Sequence, residues 1–287
     1  MRKSHFVTAI RGLLKRKGYA LINISGLAIG MACCLLLFQY VSYERSFDKF
    51  QPQSSSLVRL RLDAYQNGKL SWKSATIYPA IAPTMKKDFP EVENFFRLHD
   101  AELLLSNDDR DVKFNETKGY FADQSAIELL GIDLSDQLSD HPLAGSDKII
   151  VSETMAKKYF GKENPVGKSL HIRDPYYNKF CEVTGVFRDY PTNSHLVINY
   201  LVSYATLATL VRESGDTSNA TETAWGWYDF YTYIQLKPGT SVEQLQSKLP
   251  AFCDRYINSK ESVKNRNLKN ELYLIPFSDI HLYSNYN

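Results

Sequence analysis

Histidine pairs at metal-ligand spacing are missing from this chain. His5, His99, His141, His171, His195 and His281 stand apart, and neither cysteine outside the apolar run described below lies near one, so no zinc motif is present. No Gly-x-Ser-x-Gly or similar nucleophile string occurs, which leaves an anchored hydrolase without a catalytic constellation. Asp108, Asp109 and Asp111 lack the glycine and closing glutamate of a calcium loop, and they read as a solvated acidic turn. The string Gly161-Lys-Glu-Asn-Pro-Val-Gly167-Lys168-Ser169 has five residues between its glycines where a phosphate-binding loop needs four, and Pro165 removes an amide. It reads as a helix cap and turn, and the sequence calls for no cofactor. Cysteine is scarce: of four, Cys33 and Cys34 fall in the apolar run, leaving Cys181 and Cys253 on apolar faces of expected elements, as buried free thiols rather than a disulfide.

Acidic residues are absent from the first 17 positions, which hold six basic ones: Arg2, Lys3, Arg11, Lys15, Arg16 and Lys17. Elsewhere 28 basic face 32 acidic residues, so the basic character is a local address and not an affinity for nucleic acid. From Gly18 to Tyr43 no charge of either sign appears. At about 1.5 Å per residue this run crosses a bilayer core of about 30 Å, and it is longer than the apolar stretch of about 7 to 15 residues in a cleaved signal peptide. The flanking charge predicts an N-terminus in the cytoplasm and the bulk outside.

What is present along the chain then gives organisation. Phe6, Ile10, Leu13 and Leu14 recur at helical spacing with Arg11 and Lys15 opposite, which predicts an amphipathic surface helix over residues 1–18. Within the span, Gly26 and Gly30, with Ala28 and Ala32 beside them, either admit a second helix closely or reflect the frequency of glycine in membrane helices. Tyr40, Tyr43, Phe47 and Phe50 follow a heptad-like spacing up to Pro52. They predict one helix of about 48 Å over residues 19–50, whose stripe is a packing seam or an interfacial anchor.

Beyond Pro52 two β-α-β patterns bracket a longer stretch. The first runs through strand Leu57 to Leu62, a helix near Ala80 to Asp88 and strand Val92 to Leu98. The second has strand Asp229 to Leu236, a helix Val242 to Ile257 with Ser241 and Gln244 as capping box, and strand Glu271 to Ile275. Between them, strand Lys148 to Val151 leads to Ser152 as helix cap and Gly161 as its stop, then to strands Ser169 to Ile172 and Lys179 to Phe187. Residues 214–224 are polar and read as a mobile loop. Trp225, Trp227 and Tyr228 open an aromatic cluster whose default is core packing and whose alternative is a partner surface.

Asn23-Ile-Ser-Gly-Leu-Ala-Ile-Gly30, Tyr43-Glu-Arg-Ser-Phe-Asp48 and Ile150-Val-Ser-Glu153 through Tyr159-Phe-Gly-Lys-Glu-Asn-Pro-Val-Gly-Lys168 together resemble the MacB/FtsX-like ABC transporter permeases. So do Val183-Thr-Gly-Val186, Pro191-Thr-Asn-Ser-His-Leu196 and Asp279-Ile-His-Leu-Tyr-Ser284, and the likeness runs along almost the whole chain. The resemblance implies an α+β fold: one transmembrane helix, then a periplasmic domain of split β-α-β units, Porter-like over 51–105 and 222–287, with a Sabre-like α+β insertion over 106–221. It implies a non-catalytic permease subunit of the bacterial inner membrane that transmits the motion of a separate cytoplasmic ATPase, working as a dimer with a second permease copy. A periplasmic adaptor or exported substrate would be a further partner. Such a permease needs three more spans than are present before Asn287, so a longer protein is expected. The competing reading is a signal-anchored extracytoplasmic sensor or binding protein.

Overall fold

The computed structural model describes residue 15, residues 17–174 and residues 178–283, which form two units, one ending at Phe47 and one beginning at Asp48. The surface helix expected over residues 1–18 lies almost wholly outside the described residues.

The first unit holds one helix, α1 (Lys17–Glu44), of 28 residues, long and apolar enough to cross a bilayer. It ends six residues before the expected Phe50. Ser46 takes the Tyr43 carbonyl with both its amide, at 2.9 Å, and its hydroxyl, at 2.7 Å, closing the last turn. Asp48 then adopts φ +59°, which no helix accommodates. The single rod through Phe50 is therefore corrected: Tyr40 and Tyr43 lie on α1, while Phe47 sits in the following turn with its ring edge-on to Tyr43 at 5.4 Å.

The second unit is built on a sheet of 13 strands among the described residues. They are β1 (Leu57–Gln66), β2 (Lys69–Ser74), β3 (Val92–Asp100), β4 (Leu103–Asn107), β5 (Val112–Glu116), β6 (Gly119–Ala122), β7 (Leu134–Gln137), β8 (Lys148–Ser152), β9 (Ser169–Arg173), β10 (Asn178–Phe187), β11 (Tyr200–Ser203), β12 (Phe230–Leu236) and β13 (Leu268–Pro276). The helices are α2 (Ile81–Asp88), α3 (Ser125–Leu129), α4 (Glu153–Phe160), α5 (Tyr204–Glu213), α6 (Ala220–Thr223), α7 (Val242–Gln246), α8 (Leu249–Cys253), α9 (Glu261–Lys264) and α10 (Ile280–Tyr283). Across the sheet the order is β13-β1-β12-β3-β6-β11-β8-β10-β9-β4-β5, with β2 on β1 and β7 on β10. Thus β1, β2, β3, β12 and β13, from the two ends of the unit, lie side by side, and the strands between them in sequence continue the same sheet.

Alternation divides the core, because successive strand residues face opposite sides. Leu57 of β1, Tyr233 of β12, Ile150 of β8 and Leu201 of β11 join one cluster with Phe96, Leu196 and Phe277. Their neighbours Val58, Leu60, Ile234 and Leu236 pack on the other face with Met85, Leu249 and Phe252. Further along that second face, Ile149, Val151, Tyr200 and Val202 pack with Tyr159 and Leu207.

Local signals hold where the chemistry is local. The Ser152 side chain accepts the Met155 amide, and the Gly161 amide closes α4 at φ +67°. Ser241 likewise caps α7 by accepting the Gln244 amide. The expected helix Val242 to Ile257 is corrected, because it breaks after Gln246: Pro250 has no N–H for the helical ladder and is accommodated near the start of α8. Cys181 and Cys253 are buried free thiols, and burial pushes each pKa up to about 12.

Candidate functional site

The domain begins with a buried carboxylate. Asp48, four residues past the end of α1, is fully buried, and one loop, residues 193–195, holds it in four ways. Its amide donates to the Asn193 carbonyl at 2.9 Å. One carboxylate oxygen accepts from Ser194 Oγ at 2.8 Å and from the His195 amide at 3.1 Å, while the other meets His195 Nδ1 at 2.8 Å. On the far side of the ring, His195 Nε2 lies 2.9 Å from the Tyr233 hydroxyl of β12, and Phe277 covers the imidazole edge-on at 4.8 Å. Left-handed φ at Asp48 makes this possible, since it turns the chain out of helical register and aims both amide and carboxylate at the same loop.

Burial, more than the charges around the ring, decides its state. Burial pushes the His195 pKa below its ordinary value, aided by the Arg59 and His281 charges and opposed by the bond to Asp48. Burial also raises the Tyr233 hydroxyl, so that group stays protonated. The arrangement that satisfies every partner is a neutral imidazole whose Nδ1–H donates to Asp48 and whose Nε2 accepts from Tyr233.

The next residues extend the joint. Gln51 Nε2 donates to the Leu130 carbonyl and to the Tyr190 hydroxyl. Phe50 packs edge-on against Tyr190 at 5.4 Å. Pro52 sits against Gly131, where φ is +57° and a Cβ would come within 2.9 Å of the proline ring. The segment from Asp48 to Pro52 is therefore built into loops that lie 79 positions away at Leu130 and Gly131 and more than 140 away at Ser194 and His195.

A serine, a histidine and an aspartate together raise the question of catalysis, and the geometry answers it. In a hydrolytic triad the serine bonds the histidine nitrogen that faces away from the aspartate. Here Ser194 Oγ bonds the aspartate itself, and Nε2 is taken by Tyr233. Ser194, Asp48 and Tyr233 are buried, leaving no place for a substrate. The arrangement is a fastening.

A second buried charge ties β3 to the rest. Arg97 grips both oxygens of Asp123 at 2.9 and 3.0 Å and both of Glu222 at 3.0 and 2.9 Å, donates to the Thr221 carbonyl at 3.1 Å, and stacks 4.0 Å from the Tyr204 ring centroid. Burial works against its charge, but the two carboxylates hold the guanidinium protonated, with its pKa raised. The expectation of a mobile loop over 214–224 is corrected here: that segment contains α6, its Thr221 is buried, and Asp216 accepts the Ala220 amide at 2.9 Å. An arginine inside the apolar run Phe95-Phe96-Arg97-Leu98 is the sequence signal that could have revealed it.

The remaining expected sites are dispersed. A Cβ on Gly26 or Gly30 of α1 would meet nothing within 4 Å among the described residues, and Ala28 and Ala32 share that exposed helix. Trp225 stacks on Tyr256 at 5.4 Å, whereas Trp227 packs edge-on to Phe230 at 4.7 Å in a different core cluster. Tyr228 is exposed and stacks on Trp72 at 5.6 Å. In the string that resembles a phosphate loop, the Gly161, Glu163, Gly167 and Lys168 amides all donate to backbone carbonyls and the Val166 amide to Asn164 Oδ1, so they cannot cradle an anion. Asp108 bonds Ser106 Oγ at 2.6 Å and pairs with His171 at 3.0 Å and Arg173 at 3.2 Å.

Comparison with known proteins places this architecture. The family model described as MacB-like periplasmic core domain matches residues 20–252. Among solved structures, a "domain of a putative Permease protein" from Porphyromonas gingivalis aligns with TM-score 0.65 and 19% identity over 79% of this chain and 92% of that one. The periplasmic region of MacB from Actinobacillus actinomycetemcomitans aligns with TM-score 0.51 and 13% identity over 81% of this chain and 93% of that one. No curated protein matches.

Proposed function

Because the chain belongs to the family of MacB-like periplasmic core domains, we propose that it is the membrane-anchored part of an ABC transporter permease that carries motion from a cytoplasmic ATPase into a periplasmic domain. In this reading α1 spans the inner membrane with its N-terminus in the cytoplasm, segments 51–105 and 222–287 form the Porter-like half, and 106–221 the Sabre-like insertion. The permease works as a dimer of two copies, the ATPase sits on a separate subunit, and this chain catalyses nothing itself. Export or an envelope process is the outcome, through a periplasmic adaptor or on a substrate directly.

The observation that carries the reading is the fastening of Asp48. A pull on the covalent link at Phe47 reaches a residue gripped by the 193–195 loop, by β12 through Tyr233, and through Gln51 by Leu130. A flexible tether would need no such grip, while a lever needs its first residue fixed in the body it moves. In this reading Tyr40 and Tyr43 anchor the outer end of α1, and Gly26 to Ala32 packs against a neighbouring span.

The test is a spin label at Lys113→Cys in the full-length permease, reconstituted with its ATPase, with Cys33 and Cys34 replaced. The distance between labels in the two copies should change on ATP binding, and Asp48→Ala should abolish the change while ATPase activity persists. An unaltered change in a folded Asp48→Ala protein would show that motion enters the domain elsewhere.

A further inference from the structure

We propose that the open groove between the C-terminal end of α2 and the turn that follows α8 docks an acidic, apolar-bearing segment of a partner protein. The groove has a volume of about 610 Å³. Its floor is aromatic: Phe89 lies 5.7 Å from Phe252, and Phe252 lies 4.9 Å from Tyr256. Its rim carries Lys87, Lys248 and Arg255; Lys248 is paired with Glu91, which leaves Lys87 and Arg255 as the cations offered to an occupant. The one acid in the lining, Asp88, already accepts from the Tyr256 hydroxyl at 2.7 Å and lies 4.0 Å from Arg255.

Two further observations mark this place. After α8 the chain enters a π-helical turn, Asp254–Asn258, and such turns occur frequently at functional sites. It carries Arg255 and Tyr256 in the groove wall, and Asn258 locks it to β13 by accepting the Asn270 amide at 2.8 Å and donating to the Asn270 carbonyl at 3.1 Å. The rings also continue past the groove. Trp225 stacks on Tyr256 at 5.4 Å, and the path runs through Tyr78 and Tyr228 to Trp72 at steps of 6.5, 6.2 and 5.6 Å. Lys260 stands 5.9 Å over the Trp225 ring and Arg255 5.0 Å over the Tyr256 ring.

Charge selects the occupant. Residues 237–269 hold seven basic and three acidic residues, the reverse of the acidic excess over most of the chain. Half-buried Trp225 and Tyr256 beside exposed Tyr228 and Arg255 give this strip the aromatic and arginine content that protein-binding patches favour. An acyl chain asks for an enclosed apolar slot, whereas this strip is open and elongated, as an extended peptide or a helix face requires. The inference goes beyond the force-transfer reading, because the groove lies within the domain and needs no motion to be occupied.

A display library of random twelve-residue peptides, selected on the full chain in nanodiscs, tests it. The enriched set should be net acidic with at least one Trp, Phe or Leu. Synthetic members should bind about ten-fold more weakly to the doubly charge-reversed Lys87→Glu, Arg255→Glu protein and to Ala251→Glu. An unchanged urea midpoint shows that each variant is folded, and Ala251→Glu serves if the double variant is not. Enrichment of basic or uncharged peptides, no enrichment, or equal binding to the variants would overturn the proposal. So would occupation of the groove by dodecyl phosphate or by a second copy of the chain in place of peptide.

Discussion

The Asp48 carboxylate and the His195 imidazole meet at 2.8 Å across 147 positions of chain, and this one bond joins the first residue of the domain to a loop in its interior. Three strings that carry the family resemblance converge there: the segment ending in Asp48, the Ser194-His195 loop, and the stretch from Asp279, whose Ile280 joins Leu196, Tyr233 and Phe277 in one core cluster.

Asp48→Ala should destabilise the domain by about 2–4 kcal/mol, because the Ser194 hydroxyl and the His195 amide and ring all lose their acceptor in a dry site. Urea unfolding of the detergent-solubilised chain measures it. Combined with His195→Ala, the two losses should fall short of additive by about 1–3 kcal/mol. Additive losses would mean that Asp48 and His195 are fixed independently.

The same ring predicts an acid sensitivity. Its folded pKa lies below the ordinary value of 6.5, so the unfolded chain takes up a proton that the folded chain resists. Stability is therefore fully present above about pH 6.5 and falls as pH drops from there towards the folded pKa. His99 is lowered by burial in the same direction, so the diagnostic is the difference between wild type and His195→Gln. That difference should shrink on acidification through this window, and a constant difference would contradict a neutral His195.

Arg97→Ala should cost about 2–4 kcal/mol, a range that allows for the partial exposure of Asp123 and Glu222, and should free residues 214–223 for cleavage. Limited proteolysis with fragment sequencing reads this out. Cleavage first in some other segment would mean that α6 is held by other contacts.

At Gly119 a Cβ would lie 2.1 Å from the Tyr200 ring, in a place where both residues are buried. Gly119→Ala should destabilise by about 1–3 kcal/mol, and Tyr200→Leu should relieve part of that loss in a double-mutant cycle. No relief would place the strain elsewhere.

Much of the fold was legible where short-range chemistry decides. The alternation of Val58, Leu60 and Leu62 against Arg59 and Arg61 marks β1, and Ser152 with Gly161 brackets α4, since a cap needs only its own turn. The end of α1 was not legible, because Tyr43, Phe47 and Phe50 keep a helical spacing and Asp48 leaves it only to reach residues 193–195. Leu245, Leu249, Phe252 and Tyr256 likewise share one face in principle, but Pro250 denies the ladder its donor. Order across the sheet, from β13 to β5, rests on pairings between distant segments that no local pattern encodes. At the site, Asp48 and His195 stood out in separate strings, and nothing in either announced the other.

Transmission through Asp48 requires a stiff link, and lengthening that link removes the stiffness alone. Gly-Ser-Gly-Ser inserted between Phe47 and Asp48 leaves every hydrogen bond of the joint able to form but lets α1 move without the domain. A control insertion at the Asn67-Gly68 hairpin tip, where both residues have positive φ, should be neutral. In the reconstituted permease ATPase activity should be full with both insertions, and the ATP-driven change in distance between Lys113→Cys labels should be lost for the first insertion and kept for the second. An ATP-driven change of undiminished size with the linker in place would contradict transmission through Asp48.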